Sequence, residues 1–163
     1  MNRQIHTDSK LRIFLILVLL MSLFASCKKS ELDVIPSVLV DFTLDIQDPD
    51  FIALQAITNY VLVDQYTNNL GYRAAGFDAN GIIVYRSGLD EFLAYDRTCP
   101  HDYAVNGLSI AVDTVKFETY VLCPECGTKY VLPSFGSPSE GPSRYPLKIY
   151  KTSFDGRFVR VYN

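Results

Sequence analysis

The sequence predicts an all-β fold, a small sandwich or barrel, and three observations carry that expectation. From residue 38 to residue 163 the apolar residues alternate with a period near two, not the 3.6 of a helix. The short runs are rich in Val, Ile, Tyr and Phe, whose branched or aromatic side chains fit a pleated surface. Clusters of Asn, Asp, Ser and Gly separate the runs, as turns separate strands. Eight such runs fall in about 125 residues, which is the strand density of a sandwich or barrel.

The runs can be taken in order. VLVDFTL (38–44) and YVLVDQY (60–66) read as the first two strands, with FIALQAI (51–57) between them as a brief helical turn. GIIVYR (81–86) and EFLAYD (91–96) make a strand pair across Ser87-Gly88. VKFETYVL (115–122) and KYVLP (129–133) follow, then LKIYKTSF (147–154) and RFVRVYN (157–163), joined by the hairpin signal Asp155-Gly156. Asp45, Asp48 and Asp50 stand beside Pro49 without a calcium-loop pattern and read as turn residues. The eleven Tyr and ten Phe, in a chain with no Trp, are expected to fill the β core.

Residues 1–26 are expected to be a leader rather than part of the fold. Arg3, Lys10 and Arg12 form a positive start, and Ile13 to Ala25 is almost purely apolar. At about 1.5 Å per residue that stretch is too short for a hydrocarbon core about 30 Å thick. Ala25 and Ser26 directly before Cys27 resemble a bacterial lipobox. The resemblance implies cleavage before Cys27, lipid on its sulfur and amino group, and a membrane-anchored protein of the cell envelope facing the periplasm or the cell surface. Residues 27–37, broken by Pro36, read as a tether to a single domain at 38–163.

That processing changes the arithmetic. The whole chain of 163 residues has 15 Lys and Arg, 18 Asp and Glu, two His and four Cys. Without the leader 12 basic and 17 acidic side chains remain, a net charge of -5, with Cys99, Cys123, Cys126 and His101 as the remaining Cys and His. An acidic surface of this kind excludes a phosphate-neutralising nucleic-acid binder. The acids offer no obvious glycosidase pair, and no Gly-rich strand-to-helix turn is present for a nucleotide.

Cys99-Pro100-His101 is followed by 21 residues and then Cys123-Pro124-Glu125-Cys126-Gly127. Two tight loops therefore offer two soft or borderline ligands each, the pattern by which paired side chains are aimed at one metal centre. A Cys3His set also suits structural zinc, and CPECG alone looks like a zinc knuckle. The third possibility is a Cys123–Cys126 disulfide with Cys99 free, which an exported compartment permits.

Beyond the ligands, GIIVYRSGLDEFLAYDRTCPH (81–101), CPECGTKY (123–130) and GPSRYPLKIY (141–150) resemble the Rieske [2Fe-2S] family, over roughly residues 38–163. The resemblance implies stacked antiparallel sheets or a small barrel with two metal-binding loops and a covering Gly-Pro loop. It implies a cluster with Cys99 and Cys123 on one iron and His101 and Cys126 on the other. It also implies that the hydroxyls of Thr128 and Tyr130 hydrogen-bond the cluster or a ligand sulfur. Cys126 departs from the pattern, standing where the family has its second His. A thiolate there adds negative charge, so the expected potential lies between Rieske centres, roughly -150 to +300 mV, and all-Cys plant-type clusters, about -400 mV. With no substrate domain accompanying it, the resemblance implies a single-electron carrier serving a redox protein, and not an oxygenase.

Overall fold

The computed structural model describes residues 33–163. The leader, Cys27 and the first part of the tether lie outside the described residues. Among the described residues no helix is long and apolar enough to cross a membrane.

Among the described residues ten strands form two antiparallel sheets, and the all-β expectation holds. The larger sheet runs in the order β1 (Asp41–Asp45), β10 (Phe158–Tyr162), β9 (Ile149–Phe154), β4 (Phe92–Asp96), β3 (Ile82–Arg86) and β2 (Tyr60–Val63). The smaller contains β5 (Asp113–Thr114), β6 (Tyr120–Leu122), β7 (Lys129–Val131) and β8 (Ser137–Glu140). Strand β3 divides the interior, because four consecutive residues of it are buried. Ile82 and Val84 face one core, with Leu44, Leu54, Val159 and Val161. Ile83 and Tyr85 face the other, with Tyr95, Val121, Tyr130 and Leu132, and that second core includes Cys99 and Cys123. Period-two alternation thus sets one face of β3 against an apolar layer and the other against the layer that carries the thiols.

Several segments differ from the sequence expectation for identifiable reasons. The run at 60–66 stops pairing at Val63, because the Asp64 carboxylate accepts from the N–H groups of Tyr66 and Thr67, both at 2.9 Å, and turns the chain. The run at 115–122 contributes only β6, since Phe117 takes φ +66° and lies 91% exposed in a turn. The helical turn is a 3-10 segment, Pro49–Gln55, capped by Asp48, whose side chain accepts from the Asp50 N–H at 2.9 Å. The last hairpin turns about Gly156 and Arg157, one residue later than Asp155-Gly156 indicates, with the Asp155 N–H donating to the Phe158 carbonyl at 3.3 Å. β5, β8 and the helix described below all lie outside the expected runs.

The chain from Asp33 to Ser37 lies against the domain. Ile35 is buried, and the Lys148 ammonium donates to both Asp33 carboxylate oxygens at 2.9 Å and to the Ile35 carbonyl at 3.0 Å.

Candidate metal centre

The first ligand loop is anchored before it turns. Thr98 bridges to Ala111, and the Cys99 N–H donates to the Ile110 carbonyl at 2.7 Å, which fixes the backbone at Cys99. A short helix, α1 (Pro100–Asn106), starts immediately afterwards. Proline at its first position has a preset φ and lacks an N–H that would be unpaired there, and Asp102 places an acid in the first turn. Gly107 ends the helix at φ +67°, with its N–H on Tyr103 and that of Leu108 on Asp102. An edge-to-face contact between Phe77 and Tyr103, centroids 5.1 Å apart, packs the outer side of α1. Asp102 is consequently buried, 1% exposed, whereas His101 is only half-buried.

The second loop connects β6 to β7. It is closed by the Cys123 N–H on the Thr128 carbonyl, 2.9 Å, and by the Gly127 N–H on the Cys123 carbonyl, 3.0 Å. Cys123 is buried and Cys126 half-buried. The chain at 141–145 covers this loop. Gly141 sits at φ +93°, where an added Cβ would meet the Thr128 Cα at 2.6 Å, so the close approach requires glycine. The Ser143 N–H then donates to Thr128 Oγ1 at 3.3 Å.

Four donor atoms converge. The Sγ atoms of Cys99, Cys123 and Cys126 and a carboxylate oxygen of Asp102 all lie within 4.8 Å of one another. Cys99 Sγ is 3.7 Å from Cys126 Sγ and 3.3 Å from the Tyr130 hydroxyl. The Cys126 thiol donates to Thr128 Oγ1 at 3.2 Å, and the Cys123 thiol donates to Asp102 Oδ2 at 2.9 Å. All three thiols are free, and no disulfide joins Cys123 to Cys126.

Burial sets the electrostatics. It pushes the Cys99 thiol up to about 12, although the Tyr130 hydroxyl and the Asp102 N–H oppose the shift. Cys123 moves further in the same direction, through burial and the adjacent Asp102 carboxylate, against the N–H groups of Cys126 and Glu125. Burial also acts to raise Asp102, but hydrogen bonds from the thiols of Cys123, Cys99 and Cys126, with the charge of His101, outweigh it and hold the carboxyl below its usual range. Thiols buried in this way stay protonated unless a cation sits among them, and a bound metal deprotonates its thiols outright. Three soft sulfurs with one borderline or hard donor fit iron in an iron–sulfur group, or zinc.

The structure therefore brings together three of the four sequence-nominated ligands and sets both nominated hydroxyls, Thr128 and Tyr130, against the sulfurs. His101 is not among the converging donors. Sequence reasoning missed Asp102, although its spacing of three from Cys99 is a same-face spacing once α1 is recognised. A cavity of about 470 Å³ lined by Asp90, Glu91, Phe92, Thr152 and Phe154 includes none of these residues.

No protein-family model matches the chain, and no curated protein matches it. Among solved structures the chain is similar to the ferredoxin of carbazole 1,9a-dioxygenase from Nocardioides aromaticivorans, at 15% identity over 77% of this chain and 98% of that one, with a TM-score of 0.43. It is similar to a chain from a complex of reduced oxygenase and oxidized ferredoxin in carbazole 1,9a-dioxygenase, at 17% identity over 76% and 93%, TM-score 0.44. A third likeness is to a protein named as a nitrite reductase (NADPH) small subunit, at 13% identity over 77% and 100%, TM-score 0.40. Likenesses of this degree assign no ligand, partner or reaction to the residues of this chain.

Proposed function

We propose that the protein is an exported, lipid-anchored electron carrier that holds a [2Fe-2S] cluster on Cys99, Cys123 and Cys126 and passes single electrons to a redox partner. The observation that carries this reading is the convergence of three free thiols, one from the connection between β4 and β5 and two from the β6–β7 loop, on a common point beside a fourth donor. The Rieske resemblance of residues 81–101, 123–130 and 141–150 supports the choice of cluster and nominates His101 for the fourth position. When bound, the cluster supplies a centre that gains and loses one electron. The chain supplies its surroundings. The second core keeps water from Cys99 and Cys123, and the Tyr130 and Thr128 hydroxyls can turn toward thiolate sulfurs and favour the more negative, reduced state. Cys126 is half-buried, with exposed Pro124, Glu125 and Gly127 around it, and forms the edge at which a partner approaches closest. Lipid on Cys27 would hold the carrier at a membrane surface of the cell envelope.

One observation favours a second reading, a structural zinc ion. A tetrahedral ion with metal–sulfur bonds of about 2.3 Å needs sulfurs about 3.8 Å apart, and Cys99 and Cys126 are 3.7 Å apart. Iron, zinc and acid-labile sulfide counted on anaerobically purified protein separate the readings. Iron with equal sulfide supports the carrier, one zinc without sulfide supports the structural ion, and protein free of all three overturns both.

A further inference from the structure

We propose that Asp102, and not His101, is the fourth protein donor to the metal group held by the three cysteines, an inference that rests on the reading that those thiols bind a metal.

Two independent observations lead to it. The first is local geometry. The segment after Cys99 is a helix from Pro100, with Cys99 as its N-cap. On a helix, residues three apart share a face and residues two apart do not. Asp102 accordingly lies beneath Cys99 and places a carboxylate oxygen within 4.8 Å of all three sulfurs, while His101 lies half-buried outside that group. In an extended loop C-x-H would aim Cys and His together, but the proline-initiated helix rotates the histidine away.

The second is burial and contact. Asp102 is 1% exposed, and its Oδ2 lies 2.9 Å from Cys123 Sγ, on the second loop. An ion held by Cys123 therefore lies within reach of this carboxylate, and carboxylate oxygen is an ordinary donor to zinc and iron. The resulting set of three thiolates and one carboxylate carries one more negative charge than a set closed by neutral imidazole. A cluster in it is reduced at a lower potential than one closed by His101.

The test uses the full chain, with iron, zinc and sulfide counted on the purified protein first. The metal is then removed under reducing, anaerobic conditions, and Co²⁺ is titrated while the thiolate-to-cobalt charge-transfer absorbance is followed. Wild type, Asp102→Asn, Asp102→Cys and His101→Ala are compared, with far-UV circular dichroism reporting folding. The expected result is that Asp102→Asn weakens Co²⁺ binding at least about tenfold, the lower bound for losing even an outer-shell partner. Asp102→Cys should restore binding and increase the charge-transfer absorbance per cobalt, while His101→Ala leaves affinity and spectrum unchanged. Should Asp102→Asn fail to fold, the Asp102→Cys spectrum and the His101→Ala titration still decide. Loss of binding in His101→Ala overturns the proposal, as does an Asp102→Cys absorbance equal to wild type, and in both cases the metal reading survives. Wild type with no thiolate-to-cobalt band overturns the metal reading itself, and this proposal with it.

Discussion

The six-stranded sheet packs Leu44, Leu54, Val84, Val159 and Val161 into a mainly apolar layer, its one buried Tyr hydroxyl, that of Tyr150, donating to Asp96 at 2.6 Å, whereas the four-stranded sheet closes over Cys99, Cys123 and the Tyr130 hydroxyl. The first has strands of four to six residues paired edge to edge, and most of its side chains need only leave water. The second has strands of two to four residues, which are marginal by themselves. Its center contains polar groups that must be satisfied and thiols that burial keeps protonated. The difference teaches where a metal would act. It would add little to the apolar layer, but it would cross-link α1 to the β6–β7 loop and replace the weak thiol hydrogen bonds that join them.

The largest effect is expected from Cys123→Ser, which removes the thiol in contact with Asp102. Bound metal should be lost almost completely, and amide hydrogen exchange should speed up in β6 and β7 while β3, β9 and β10 keep their protection. Loss of protection in both sheets together would break the comparison. Leu44→Ala attacks the other side. Leu44 is fully buried, so its truncation should cost about 2–5 kcal/mol in a denaturant titration, with metal content unchanged. A parallel fall in metal content would show that the two cores are not energetically separate.

A pH dependence follows for the metal-free protein. Cys99 is raised from an ordinary 9.0 to about 12 by burial, so its stabilising effect is fully present below pH 9 and is lost as pH rises toward 12. Over that window the unfolded chain releases the proton and the folded chain keeps it, so the melting temperature should fall as pH rises. With metal bound the thiols carry no protons, and this loss should disappear. The smallest effect is expected from Tyr130→Phe. It deletes the hydroxyl 3.3 Å from Cys99 Sγ and should lower the reduction potential of a bound cluster while iron content stays constant. An unchanged potential would mean that the hydroxyl serves packing alone.

Much of the fold was legible because alternation survives wherever one face of a strand is buried. Ile82 to Arg86, Phe92 to Asp96 and Phe158 to Tyr162 all lie within the segments where periodicity put strands. β8 was not, since Ser-Pro-Ser-Glu has no apolar face and pairs on only one side, where proline is tolerated. The three thiols were legible from spacing, and Thr128 and Tyr130 from the family resemblance. Asp102 was not, because the ligand spacing of Cys-Pro-His-Asp reads as a loop that aims residue 101 with residue 99. The helix signals were present, with Pro100 at the first position, Asp102 in the first turn and Gly107 past the end. They compete with the ligand pattern for the same residues, and periodicity over seven residues is too short to decide between them.

On the proposed function, the converged thiols hold a cluster that exchanges one electron. Anaerobically purified protein, reduced with dithionite and examined by electron paramagnetic resonance at low temperature, tests it most directly. The expected result is a rhombic spin-one-half signal that integrates to one electron per bound cluster and vanishes in Cys123→Ser. A protein carrying zinc and no sulfide, silent before and after dithionite, would contradict it.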